Sequence, residues 1–106
     1  MSDPISTATT IVDGERTDHD LVFYSLSTCI MCRKARRYLE DKGYRFRVTM
    51  VDKLPPEEKE QLKRELTLKH GVRVVFPALT IDDRRIVLGF FRKAWDDAIA
   101  EERTDG

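Results

Sequence analysis

Long apolar runs are missing from this 106-residue sequence. None approaches the roughly 20 residues that span a bilayer, which excludes a transmembrane helix. An excess of either charge is missing too. Nineteen Lys and Arg balance nineteen Asp and Glu, so no global field draws nucleic acid or an anionic membrane, and neither is expected as a partner. Residues 1–20 lack the basic start and apolar stretch of a secretory signal. Rich in Ser, Thr and Asp, they are expected to form a flexible leader, and the chain is expected to be cytoplasmic. Cysteine is scarce, with only two. In a reducing compartment permanent disulfides are rare, so the spacing Cys29-Ile30-Met31-Cys32 reads as redox chemistry or metal binding before cross-linking.

The length suits one domain with one core, placed at residues 21–101. Leu21-Val22-Phe23-Tyr24 is a short continuous apolar run, which suits a strand covered on both faces. A helix is expected from about Cys29 to Lys42, capped by Ser27 or Thr28. Met31, Ala35, Tyr38 and Leu39 recur on one side of it, while Arg33, Arg36, Arg37 and Glu40 take the wet side. Gly43 sits where a left-handed residue closes a helix. Tyr44, Phe46, Val48 and Met50 alternate with polar residues, the period of a half-buried strand.

Pro55-Pro56-Glu57-Glu58 then has the proline and acids of a helix start, and the helix runs to Lys69-His70-Gly71 on a thin stripe of Leu62 and Leu66. Ala78 to Ile81 and Ile86 to Leu88 flank a polar turn and form a hairpin. From Phe91, the residues Ala94, Trp95, Ala98 and Ile99 mark a last amphipathic helix. The order is βαβαββα. Strands joined through a helix are parallel, and strands joined by a tight turn are antiparallel. The expected fold is therefore α/β and thioredoxin-like, a mixed four-stranded sheet with helices on both faces.

The chemistry centres on Cys29 and Cys32. A free thiol with a pKa near 8.5 is only about 3% ionised at pH 7, and the thiolate is the reactive species. Cys29 falls at a helix N-terminus, where unpaired amides and the macrodipole favour an anion. Cys32 lies one turn on and on the same side, placed to attack a mixed disulfide formed at Cys29. Arg33, Lys34, Arg36 and Arg37 add positive charge nearby, although such a cluster is commonly just a solvated helix face.

Val22-Phe23-Tyr24-Ser25 before Cys29-x-x-Cys32, then Val75-Phe76-Pro77, then Gly89-Phe90, resembles the glutaredoxin family from about Leu21 to Ile99. The resemblance implies a dithiol oxidoreductase that reduces protein or glutathione mixed disulfides and requires no cofactor. It implies catalytic Cys29 and Cys32, a cis Pro77, and substrate contacts from Tyr24, Phe76, Pro77, Gly89 and Phe90, with the main chain of Phe76 pairing with the substrate. For Tyr24 and Phe76, plain packing is the alternative. Ile30 and Met31 replace the usual Pro-Tyr, and Leu26 stands where a glutathione-binding lysine is common. Gly89-Phe90 is closer to the redoxins that draw electrons from thioredoxin reductase. The implied partners are disulfide-bearing proteins, with glutathione or a thioredoxin-reductase-type enzyme as reductant, and the chain is expected to be a monomer.

Two other readings have a basis in the residues. Some glutaredoxin-like proteins hold a two-iron, two-sulfur cluster through the first cysteine and an external thiol, and Cys29 without a following proline suits that role. Cys32-Arg33-Lys34-Ala35 and Leu39-Glu40-x-x-Gly43 also resemble arsenate reductases. Those proteins insert a helical subdomain for which the stretch between Met50 and Pro77 has no room. A zinc site needs four ligands, which one Cys-x-x-Cys and two distant histidines do not supply. His19 and His70 are expected at the solvent.

Overall fold

The computed structural model describes residues 9–102. In chain order the elements are β1 (Thr9–Val12), β2 (Arg16–Ser25), α1 (Ile30–Asp41), β3 (Tyr44–Met50), a 3-10 turn at Val51–Lys53, α2 (Pro56–His70), β4 (Ala78–Ile81), β5 (Arg85–Leu88) and α3 (Arg92–Glu102). The strands lie in the order β1-β3-β2-β4-β5. β2 and β3 are parallel, as their helical connection requires, and the other pairs are antiparallel.

Alternation along the strands sorts side chains onto two faces. Leu21 and Phe23 of β2, Phe46 and Val48 of β3, and Leu79 and Ile81 of β4 meet Ala35, Tyr38 and Leu39 of α1 and Trp95, Ala98 and Ile99 of α3 in one buried cluster. Phe23 sits edge-on to both Phe46 and Trp95, with centroids 6.3 and 6.0 Å apart. The other face is thinly covered. α2 buries Leu66 and half-buries Leu62, as its narrow stripe predicts, and a cleft of about 680 Å³ separates it from Val22, Tyr24, Thr49 and Thr80. Val22 and Tyr24 are consequently half-buried, and the expected sealing of β2 on both sides holds on one side only.

Among the described residues the sheet has five strands where four are expected. The extra strand comes from the supposed leader: Thr9 to Val12 pair with Thr49 to Phe46 of β3, and β2 begins at Arg16. The polar composition of residues 1–20 masks the β-branched run Thr9-Thr10-Ile11-Val12, whose residues favour a pleated surface. The leader expectation is thus corrected for residues 9–20, while residues 1–8 lie outside the described residues. The turn between β1 and β2 needs Gly14, because a Cβ there would stand 2.5 Å from the carbonyl oxygen of Gly43.

His19 is also corrected. Its side chain is 6% exposed, and its Nδ1 lies 2.7 Å from Oδ2 of Asp82. Oδ1 of the same carboxylate accepts the Asp20 amide at 2.8 Å. His70 is half-buried, with Nε2 shielded from solvent. Asp82 opens the β4–β5 turn in the left-handed region at φ 53°, followed by Asp83 at 58°. Aspartate tolerates that conformation better than most residues do. Burial by itself would raise the Asp82 carboxyl, but the Asp20 amide and His19 outweigh it and hold the group below its ordinary value.

A carboxyl depressed by folding stabilises the native state above its unfolded pKa of about 3.9 and loses that contribution as pH falls through the folded value. Asp82→Asn should therefore cost about 1 kcal/mol at pH 7. The two proteins should converge as pH falls through the depressed Asp82 value, as read from urea midpoints on the acid side. A deficit that is independent of pH would show that the carboxylate charge plays no part.

Candidate dithiol site

The sheet register gathers the sulfur chemistry at one end. β2 finishes at Ser25, opposite Met50, so the β3 exit through Val51 and Leu54 lies beside the start of the cysteine turn. Tyr24 pairs with Ala78, which brings Phe76-Pro77 alongside Ser25-Leu26. Ala78 pairs with Leu88, which sets Gly89-Phe90 next to Pro77. A hydrogen bond from the Gly89 amide to the Pro77 carbonyl, 2.8 Å long, ties those segments together. The Phe76–Pro77 bond is cis, as the family resemblance implies.

Cys29 itself is the N-cap of α1, correcting the expected Ser27 or Thr28. Its extended backbone and side-chain acceptor fill the role usually given to a hydroxyl or carboxylate oxygen: the Cys32 amide donates to Sγ at 3.2 Å. Ser27 is engaged elsewhere. Its amide donates to Asp52 Oδ1 at 3.1 Å and its hydroxyl donates to Oδ2. These bonds pin the loop to the 3-10 turn, and the Ser27 hydroxyl, with lesser help from its amide, lowers the Asp52 carboxyl. No acidic residue lies in the first turn of α1, so no neighbouring carboxylate of that turn opposes negative charge at its start.

The two thiols differ. Both are free, with Cys29 partly exposed and Cys32 only 1% exposed. Burial, followed by the hydrogen bond with Cys29, pushes the Cys32 thiol up to about 11. At neutral pH Cys32 is therefore a protonated thiol held behind Cys29.

Around them, Leu26, Phe76 and Phe90 pack on the edge of the main core. Phe90 lies 5.5 Å from Tyr38 and 5.1 Å from Trp95, centroid to centroid, and Trp95 Nε1 donates to the Gly89 carbonyl at 2.8 Å. The Gly89 carbonyl and amide are thus both used internally. Tyr24 lies on the α2 face of the sheet, packed with Leu26, Leu62 and Phe76 around Val51 and Leu54, and burial raises its phenol. Its position fits the packing alternative. Pro77, Gly89 and Phe90 are brought to the thiols' end of the sheet, and Phe76 joins the two apolar clusters there.

Sequence reasoning missed the apolar rim. Ile30, Met31, Val75 and Phe91 are 66, 42, 50 and 67% exposed. The sequence puts Met31 and Phe91 in apolar stripes, yet both are exposed, as is Ala94. Met31 and Ala94 lie in the first turn of their helices and Phe91 just before its helix. Among the described residues, no group of three or more His, Cys, Asp or Glu could hold a metal ion, and no helix is long and apolar enough to cross a membrane.

A mixed sheet with a paired-thiol turn after its central strand and a cis-proline beside that turn defines a thioredoxin-like redox protein. A glutaredoxin family model matches residues 21–86, and the chain belongs to the glutaredoxin family. Its structure is similar to that of the glutaredoxin from Methanosarcina mazei Go1, at 28% identity over 87% of each chain with a TM-score of 0.75. It is similar also to Methanosarcina acetivorans methanoredoxin, at 30% identity over 81% of this chain and 88% of that one, with a TM-score of 0.70. The glutaredoxin from Archaeoglobus fulgidus matches at 29% identity over 76% of this chain and 85% of that one, with a TM-score of 0.66. No curated protein sequence matches.

Proposed function

We propose that this glutaredoxin-family protein reduces disulfides of proteins or of glutathione through Cys29 as nucleophile and Cys32 as resolving thiol. The observation that carries the reading is the asymmetry of the pair: a partly exposed cysteine whose sulfur caps α1 at 3.2 Å from the Cys32 amide, and a buried cysteine one turn on. Burial disfavours an anion at Cys32.

In the first step the Cys29 thiolate attacks one sulfur of the substrate disulfide. A Cys29–substrate S–S bond forms, the substrate S–S bond breaks, and the other substrate sulfur leaves as a thiolate. In the second step Cys32 gives its proton to a departing thiolate and attacks Cys29 Sγ. The Cys29–Cys32 disulfide forms and the second substrate thiol is released. Two electrons have then moved from the protein dithiol to the substrate. Glutathione, or a reductase of the thioredoxin-reductase type, returns them. Phe76, whose amide and carbonyl make no backbone hydrogen bond among the described residues, offers its main chain to the substrate strand.

Cys32→Ser should stop the second step and leave the first intact. Mixing this variant with glutathione disulfide should add one glutathionyl mass, mapped to Cys29 by peptide mass spectrometry, while the wild type ends as the internal disulfide. An unmodified Cys29 in the variant would contradict the assigned roles.

A further inference from the structure

Among the described residues six large apolar side chains are exposed, and four of them lie at the dithiol end: Ile30 and Met31 beside Cys29, Val75 beside Phe76, and Phe91 beside Phe90. The other two, Ile11 and Leu68, lie on β1 and α2. Apolar residues concentrated around one reactive group, and rimmed by charge, mark a protein-docking surface better than they fit a small polar peptide.

The rim is bipolar. α1 and α3 both start at this end and pack on the same sheet face. Their starts present Arg33, Lys34 and Arg92, all exposed. None of these three has a salt bridge to a described residue, whereas Lys93 beside them pairs with Asp97 at 3.5 Å. Across the dithiol, the 3-10 turn and the start of α2 present Asp52, Glu57 and Glu58, with Lys53 among them.

From this arrangement we infer that the preferred substrate is a protein disulfide flanked by apolar residues and by an acidic segment that lies over the first turns of α1 and α3. The opposite charge across the dithiol repels such a segment from the α2 side, so the rim orients the partner as well as attracting it. The inference rests on the dithiol reading above and names its substrate class. Electrostatic complementarity of this type sets encounter rate and orientation, and salt weakens it.

The test uses the full chain and three substrates. Two peptides carry the same internal disulfide with adjacent Leu and Phe, one followed by a Glu run and one by a Lys run. The third substrate is uncharged 2-hydroxyethyl disulfide. The Glu peptide should have a KM about 10-fold below that of the Lys peptide at low salt, and the gap should close at about 0.5 M salt. Arg92→Glu should remove most of the Glu peptide's advantage and leave 2-hydroxyethyl disulfide turnover unchanged.

Phe91→Ser should raise KM for both peptides about 3- to 10-fold, in the range of one interface anchor. Equal KM values for the two peptides, a salt-independent gap, or glutathione disulfide reduced as efficiently as the Glu peptide would overturn the inference. Calorimetric affinity of both peptides for the Cys29→Ser protein gives the same ranking without turnover. Loss of all reduction with the ranking preserved would strike the dithiol chemistry, and a lost ranking with reduction intact would strike the docking surface.

Discussion

Replacing Cys29 by serine should reduce turnover of every disulfide substrate to below about 0.1% of wild type, while the fold survives. The hydroxyl can still accept the Cys32 amide as an ordinary N-cap, so α1 keeps its start. What disappears is the chemistry: a serine hydroxyl is essentially never ionised at neutral pH, and an S–O bond is no substitute for the S–S intermediate. Cys32 cannot take over, since burial leaves it a protonated thiol with a pKa of about 11 and 1% exposure. A coupled assay following a chromogenic disulfide, beside a far-ultraviolet circular dichroism spectrum of the same sample, separates lost chemistry from lost structure. Retained turnover in a folded Cys29→Ser protein would remove the basis of the proposed function.

Trp95→Ala should be the most destabilising single change. Trp95 is fully buried, lies edge-on to Phe23, Tyr38 and Phe90, and donates its indole N–H to the Gly89 carbonyl. Truncation leaves a cavity between α3 and the centre of the sheet, and a loss of about 3–5 kcal/mol follows from comparable large-to-small changes. For a domain of this size that is a large part of the total stability, and the variant is expected to be largely unfolded at 37 °C. Trp95→Phe keeps most of the apolar volume and deletes only the donor, so a loss of about 1–3 kcal/mol is expected. Urea denaturation followed by circular dichroism measures both. A Phe variant as unstable as the Ala variant would mean that the hydrogen bond to Gly89, rather than the packed volume, holds α3 in place.

Much of this architecture could be read from periodicity. Tyr44 to Met50 alternate, and β3 follows. Tyr38, Leu39, Trp95, Ala98 and Ile99 recur at helical spacing and form the layer beneath the sheet. Gly43 and Gly71 terminate their helices in the left-handed conformation that the sequence calls for, at φ 79° and 68°. Where the reading failed, a tertiary partner supplied the missing information. Thr9 to Val12 have too little apolar character to declare themselves, and only the neighbouring β3 makes them a strand. His19 looks like a surface residue until Asp82, 63 positions away, comes to meet it.

The candidate site was legible for a different reason. Cys29 and Cys32 are close in the chain, so their relation is set by one helical turn and needs no long-range contact. Phe76, Pro77, Gly89 and Phe90 are distant in sequence and could be assigned to this end only through family likeness. Tyr24, which the same likeness offers as a substrate contact, is turned by strand alternation toward the α2 face, where it packs in one cluster with Leu26 and Phe76.

The added first strand has an effect on how the molecule presents itself to its own kind. Without β1, the seven-residue β3 would be an outer strand, with a row of unpaired amides and carbonyls beside the apolar side chains of Phe46 and Val48. With β1 in place, both margins of the sheet among the described residues are four-residue segments, and short margins offer a poor template for another chain to extend.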